Sequence, residues 1–235
     1  MTCAWSSCSR LAAPKTSAAL LAISLTALQG ARGQQPSSVE RSTFYMLLNA
    51  DTLSVEHVAR TADRLEGDFV DRLHGIRIRY AAVLSKDRLI SSLETWAYRS
   101  ATDSGAQLHA TVRVTRDTVV VEAESLGPPR RIATQPGTLI YINPLAAFLE
   151  QALLRARALG GTTVQVPLFQ AAGGATAPLT VTWIGADSAR LILTGIEMAA
   201  SVGVNGRLTR LAVPSQNVRV LRVEGVRPAA LERPE

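Results

Sequence analysis

From Ser42 onward, apolar and polar residues alternate with period two, in runs broken by turn signals at the roughly 8 to 12 residue spacing of an antiparallel all-β fold. Successive side chains on a strand point to opposite faces, so each run buries one face and wets the other. The pattern is clearest where Ile76, Ile78, Tyr80, Ala82 and Leu84 oppose Arg77 and Arg79. It recurs where Leu108, Ala110, Val112 and Val114 oppose His109, Thr111, Arg113 and Thr115, and where Ile196, Met198, Ala200 and Val202 oppose Glu197 and Ser201. Turns are expected at Asn49-Ala50-Asp51, Glu66-Gly67-Asp68, His74-Gly75, Lys86-Asp87, Asp103-Ser104-Gly105, Arg116-Asp117, Gly185-Ala186-Asp187-Ser188 and Asn205-Gly206. No repeat of the solenoid or propeller kind is visible.

One segment abandons this period. Leu145, Phe148, Leu149, Ala152, Leu153 and Ala156 fall at helical spacing on one stripe, with Glu150, Gln151, Arg155 and Arg157 largely off it. Asn143 suits an N-cap, Pro144 a first turn, and Gly160-Gly161 a helix end. The spacing predicts a helix over 143–158, after about seven strands and before five more. Ala171 to Pro178 reads as a long hairpin connection. The expected fold is mainly β with one central α-helix, a curled antiparallel sheet or half-barrel wrapped around that helix. It occupies a single domain over 42–226, with a flexible segment at 34–41 and a tail at 227–235.

The first 33 residues read as an export signal. Arg10 and Lys15 precede an apolar run from Ser17 to Leu28, and small residues surround Ala31 and Gly33. At about 12 residues the run is shorter than the roughly 20 that span a bilayer. The expected destination is periplasmic or extracellular, with the mature chain starting near Gln34 and carrying no transmembrane span. Cys3 and Cys8 would leave with the signal, so neither disulfides nor thiolate chemistry are expected. Removing Arg10, Lys15 and Arg32 lowers the formal charge from +6 to +3. The remaining arginines are interleaved with acids, unlike the basic stripes of nucleic-acid binders. An outer-membrane barrel is disfavoured by the amphipathic helix and the missing aromatic girdles.

Recognisable catalytic motifs are missing. The three histidines are dispersed: His109 on a polar strand face, His74 in a turn, and His57 sharing parity with Leu53, Val55 and Ala59, an inward expectation. Their spacing does not suit zinc. Asp63, Glu66, Asp68 and Asp71 lack the order of a calcium loop and read as a solvated hairpin tip. No Gly-x-Ser-x-Gly or phosphate loop occurs. No catalytic, cofactor-binding or metal-ligating residue is therefore assigned, and no cofactor is expected. The alternative is a hydrolase, or an accessory subunit of one, with an active site of carboxylates such as Glu94, Glu122, Glu124 and Glu197, assembled only by folding. The binding alternative is a pocket for an apolar molecule or lipid between sheet and helix, formed by Phe148, Leu145, Leu149, Ala152, His57, Tyr80, Trp183 and Met198.

The segments Phe44-Tyr45-Met46-Leu47-Leu48-Asn49, Asn143-Pro144-Leu145 to Ala158-Leu159-Gly160 and Gly185-Ala186-Asp187-Ser188 look like a domain of unknown function that precedes α/β-hydrolase domains in some exported bacterial proteins. The overall plan, over roughly residues 40 to 224, resembles the curled-sheet periplasmic proteins typified by LolA- and LolB-like lipoprotein carriers. The resemblance implies an exported binding or accessory role, toward an apolar ligand or a partner protein. It transfers no catalytic residue. No lipobox cysteine follows the apolar run, unlike the LolB-like members.

Overall fold

The computed structural model describes residues 38–225. The signal-like segment with Cys3, Cys8 and the Gln34 junction, and the 227–235 tail, lie outside the described residues. Fifteen strands and one helix follow in order: β1 (Glu40–Leu48), β2 (Asp51–Arg60), β3 (Arg64–Asp71), β4 (Ile76–Leu84), β5 (Ile90–Tyr98), β6 (Leu108–Val114), β7 (Thr118–Ala123), β8 (Arg130–Ala133), β9 (Leu139–Tyr141), α1 (Ala146–Leu159), β10 (Thr163–Gln170), β11 (Ala175–Trp183), β12 (Ser188–Leu193), β13 (Ile196–Val202), β14 (Leu208–Val213) and β15 (Val218–Glu224). None of the described helices is long and apolar enough to cross a membrane.

All fifteen strands form one sheet in the order β8 to β1, then β15 back to β9. Two meanders thus run outward from a central seam, where β1 pairs antiparallel with β15 from Ser42–Glu224 to Leu48–Val218. Only β9 and β10 pair in parallel. The sheet curls until its ends overlap without forming a ladder. There β9 approaches β5 and β6, and the Thr134 hydroxyl meets that of Thr176 at 2.7 Å.

The expected class holds: a mainly β, curled, open antiparallel sheet around one helix. Its details differ from the sequence expectation. Nine strands precede the helix and six follow, because β8 and β9 are too short to show a period. Glu40 and Arg41, expected in a flexible segment, already belong to β1. Gly67 is no turn; it lies inside β3 opposite Tyr80. A Cβ there would sit 2.3 Å from the tyrosine ring and hydroxyl, so glycine lets the ring cross the strand.

The helix runs over 146–159, not 143–158. Every residue from Ala146 to Leu154 is buried, including Glu150 and Gln151. That corrects the expected wet face: a sheet curling right round a helix leaves it no solvent side until Arg155. Gly160, at φ 75°, ends the helix by donating its N–H to the Arg157 carbonyl. The apolar residues of both half-sheets and the helix form one continuous core.

Phe148 is 2 % exposed, with its ring centroid 5.0 Å from that of Tyr80. Phe148→Ala should lower unfolding free energy by about 3–5 kcal/mol, the usual cost of emptying a buried aromatic site. Urea unfolding measures it, and a loss below about 1 kcal/mol would mean the site collapses freely.

Candidate functional site

The start of α1 lacks a local cap. Asn143, expected to serve, instead accepts the Tyr141 hydroxyl at 3.0 Å. The cap comes from β2, some ninety residues away in sequence. Glu56 Oε2 accepts the N–H groups of Ala146 at 2.7 Å and Ala147 at 3.3 Å. Its Oε1 accepts the Tyr80 hydroxyl at 2.7 Å. The carboxylate satisfies orphan N–H groups and faces the positive end of the helix dipole. It is also 2 % exposed. Burial pushes it up to about 7 against the opposing pull of Tyr80 and the two amides, with the Glu150 charge adding a smaller upward push. Burial and the same carboxylate drive the Tyr80 hydroxyl well above its ordinary range.

One turn further, Glu150 is the centre of a second buried group. Its Oε2 accepts Arg222 Nη1 at 2.7 Å and the Leu208 N–H at 3.1 Å, and its Oε1 accepts Arg60 Nη2 at 3.2 Å. Arg207 Nη1 stands 3.6 Å from Oε1. Arg222 and Arg207 also hold Glu40, whose carboxyl they keep low against the raising effect of burial. Burial works to raise Glu150, and Arg60, Arg222 and Arg207 pull the other way. Guanidiniums do not give up their protons in proteins, so the ionised carboxylate is the form that balances them. Beside it, Gln151 accepts Arg60 Nη1 at 2.6 Å and donates to the Arg88 carbonyl at 2.7 Å.

At the N-terminal end of α1, between the helix and strands β1 and β13 to β15, lies a cavity of about 200 Å³. Of the eight residues expected to form a pocket, Leu149 and Met198 line it. Leu145, Phe148, Ala152 and Tyr80 are packed solid in the core. Trp183 is half-buried under the Arg157 guanidinium, 4.7 Å from its ring centre. His57 is corrected to the convex face, because its neighbour Glu56 points at the helix. It is half-buried there, bonded to Thr43 at 2.9 Å. Burial lowers its imidazole, and Asp68 partly opposes that. Sequence reasoning missed Met46, Leu193, Leu211 and Val220 in the lining. The polar part of the lining consists of amides and hydroxyls, Asn143, Gln170, Gln216, Thr194 and Tyr141, and among the described residues no carboxylate, guanidinium, ammonium or imidazole lines it.

The candidate catalytic carboxylates lie elsewhere. On the convex face Thr111 separates Glu94 from Glu122 in one cross-strand row. Glu94 bonds His109 at 2.8 Å and Glu122 bonds Arg113 at 2.8 Å. His109 stacks on Trp96. Glu122 and Glu124 border a shallow open groove there, and exposed Glu197 stands apart on β13. Asp68, expected at a solvated tip, is buried in β3 and paired with Arg77. Asp71 instead braces its turn through the N–H groups of Leu73 and His74. Among the described residues, no group of three or more His, Cys, Asp or Glu side chains is placed to hold a metal ion.

The two buried carboxylates predict opposite mutational outcomes. Glu56 binds its proton more tightly folded, near 7, than at its ordinary 4.5. The native state therefore holds the extra proton, and stability falls as pH rises through that window, by about 3 kcal/mol. Glu56→Gln can still accept the Ala146 N–H and donate to the Tyr80 oxygen. Urea unfolding at pH 5 and pH 8 should show that the variant loses this slope and is the more stable protein at pH 8. Glu150→Gln should cost about 3–5 kcal/mol at both pH values, because it strands buried guanidiniums.

No family model matches the chain, and neither does any curated protein. Among solved structures it is similar to a DUF1089 family protein from Pseudomonas aeruginosa, with TM-score 0.52 and 14% identity over 72% of this chain and 94% of that one. It is also similar to a β-barrel-like protein of the domain of unknown function DUF1849 from Brucella abortus, with TM-score 0.48 and 14% identity over 80% of this chain and 97% of that one. The first likeness is one of fold: a curled β domain built on the same plan.

Proposed function

We propose that this protein is an exported, non-enzymatic binding domain that takes an apolar small molecule or lipid chain into the cavity beside the start of α1. The observation that carries this reading is the cavity's lining: Leu149, Met198 and other apolar side chains, edged by neutral amides and hydroxyls. Sites of this make-up bind by removing apolar surface from water, with a few polar groups to orient the ligand. Each buried methylene contributes about 0.8 kcal/mol, a factor of about four in affinity.

An enzyme built on carboxylates is disfavoured. Glu56 and Glu150, the buried carboxylates nearest the cavity, are each committed to structural partners and line none of it. On the convex face, Glu94 and Glu122 are paired with His109 and Arg113 at the exposed surface. Export rests on the signal-like first 33 residues, and the resemblance to LolA- and LolB-like carriers adds to the binding reading.

The protein should leave its native host with an N-terminus near Gln34 and with an apolar molecule detectable by mass spectrometry. Met198→Trp, and independently Leu149→Phe, should fill the cavity. Each should weaken binding of the neutral fluorophore N-phenyl-1-naphthylamine at least tenfold while cooperative thermal unfolding persists. Undiminished binding in both variants would place the ligand elsewhere.

A further inference from the structure

The cavity borders the first residue of α1, since Ala146 is part of its wall. The start of a helix ordinarily attracts a carboxylate or phosphate, because its free N–H groups and dipole favour negative charge. Here that position is taken: Glu56 holds the Ala146 and Ala147 N–H groups from behind the wall. An anionic head group entering the cavity would find these donors engaged and a second carboxylate nearby. A cationic head group would fare no better. The Glu56 oxygens are turned toward Tyr80 and the helix, and the lining offers no carboxylate of its own. Burying a charge without a partner is costly, whereas a hydroxyl or ester can be satisfied by Asn143, Thr194 or Gln216.

We propose that the cavity selects uncharged, single-chain amphiphiles, and that Glu56 excludes anionic ones by setting its own negative charge at the helix N-terminus that would receive their head group. The inference rests on the binding reading above. Size is consistent with one short chain. The cavity's volume of about 200 Å³ lies below the ~300–1,000 Å³ of sites for drug-sized ligands.

Isothermal titration of the mature chain at pH 8 with 1-octanol, sodium octanoate and octyltrimethylammonium tests this directly. Octanol should bind at least tenfold more tightly than either charged compound, and Met198→Trp should abolish that binding. Glu56→Gln should leave octanol affinity unchanged and narrow the gap between octanol and octanoate at least threefold. If octanoate or octyltrimethylammonium binds the unaltered protein within threefold of octanol, charge selection is wrong and the binding reading stands. An unchanged octanol-to-octanoate gap in Glu56→Gln removes Glu56 as its cause and overturns the proposal as stated. If none of the three binds and N-phenyl-1-naphthylamine is not taken up either, the binding reading falls, and this inference with it.

Discussion

The Glu150 carboxylate is the point to which both halves of the sheet are tied. It receives Arg60 from β2, the Leu208 amide at the start of β14 and Arg222 from β15. Through Arg222 and Arg207 it is linked to Glu40 on β1, so both strands of the central seam take part. An apolar helix inside a curled apolar sheet has little to stop it from sliding or rotating, since dispersion and burial are nearly non-directional. Buried charges remove that freedom, because their desolvation is offset only where every partner is in place. Glu56 does the same at the helix start. Gln151 and Arg155 extend the tether to the β4–β5 turn through the carbonyls of Arg88 and Asp87. Five separate segments of the sheet or its turns thus address one helix, since Arg157 also reaches the Ala186 carbonyl.

This arrangement explains what was legible from residues alone. Alternation in β4, β6 and β13 announced one-sided strands, and the stripe from Leu145 to Ala156 announced a helix packed on a sheet. Neither pattern contains the curvature that buries the opposite helix face. Glu150 and Gln151 therefore read as wet, when the sheet in fact returns to cover them. In β2 the apolar residues favour one parity: Leu53, Val55 and Ala59 against Val58 alone, which shares its face with Thr52, Ser54, Glu56 and Arg60. Ordinary hydrophobic reasoning chooses the former and turns His57 inward. The structure chooses the latter, because Glu56 and Arg60 have partners on the helix.

One available signal was passed over. Arg222 shares parity with Val218 and Val220 on an otherwise apolar face, and Arg60 shares parity with Val58. An arginine in an inward register position calls for a buried acid, and Glu150 on the central helix is the candidate. Gly67 misled for a simpler reason. Between Glu66 and Asp68 it has the composition of a turn, and only the Tyr80 ring crossing it shows why a strand needs glycine there. The cavity was still less visible. Two of its expected residues line it, and the rest of its wall comes from strands whose side chains meet only after the sheet has curled.

The central seam also bears on how the chain reaches this state. Residues 42 to 48 find their β15 partners only when residues 218 to 224 arrive, although each meander, the parallel β9–β10 pair apart, is itself a series of local hairpins. Closing so long a loop costs entropy that rises only slowly with length, but ladders of high sequence separation are reached late. The eight strands of the first meander must therefore wait, inner face bare, for a helix and seven further strands. Arg60 and Glu56 gain their buried partners only when α1 is packed against β2, so the charges that fix the helix have no place in the core until the helix itself is there.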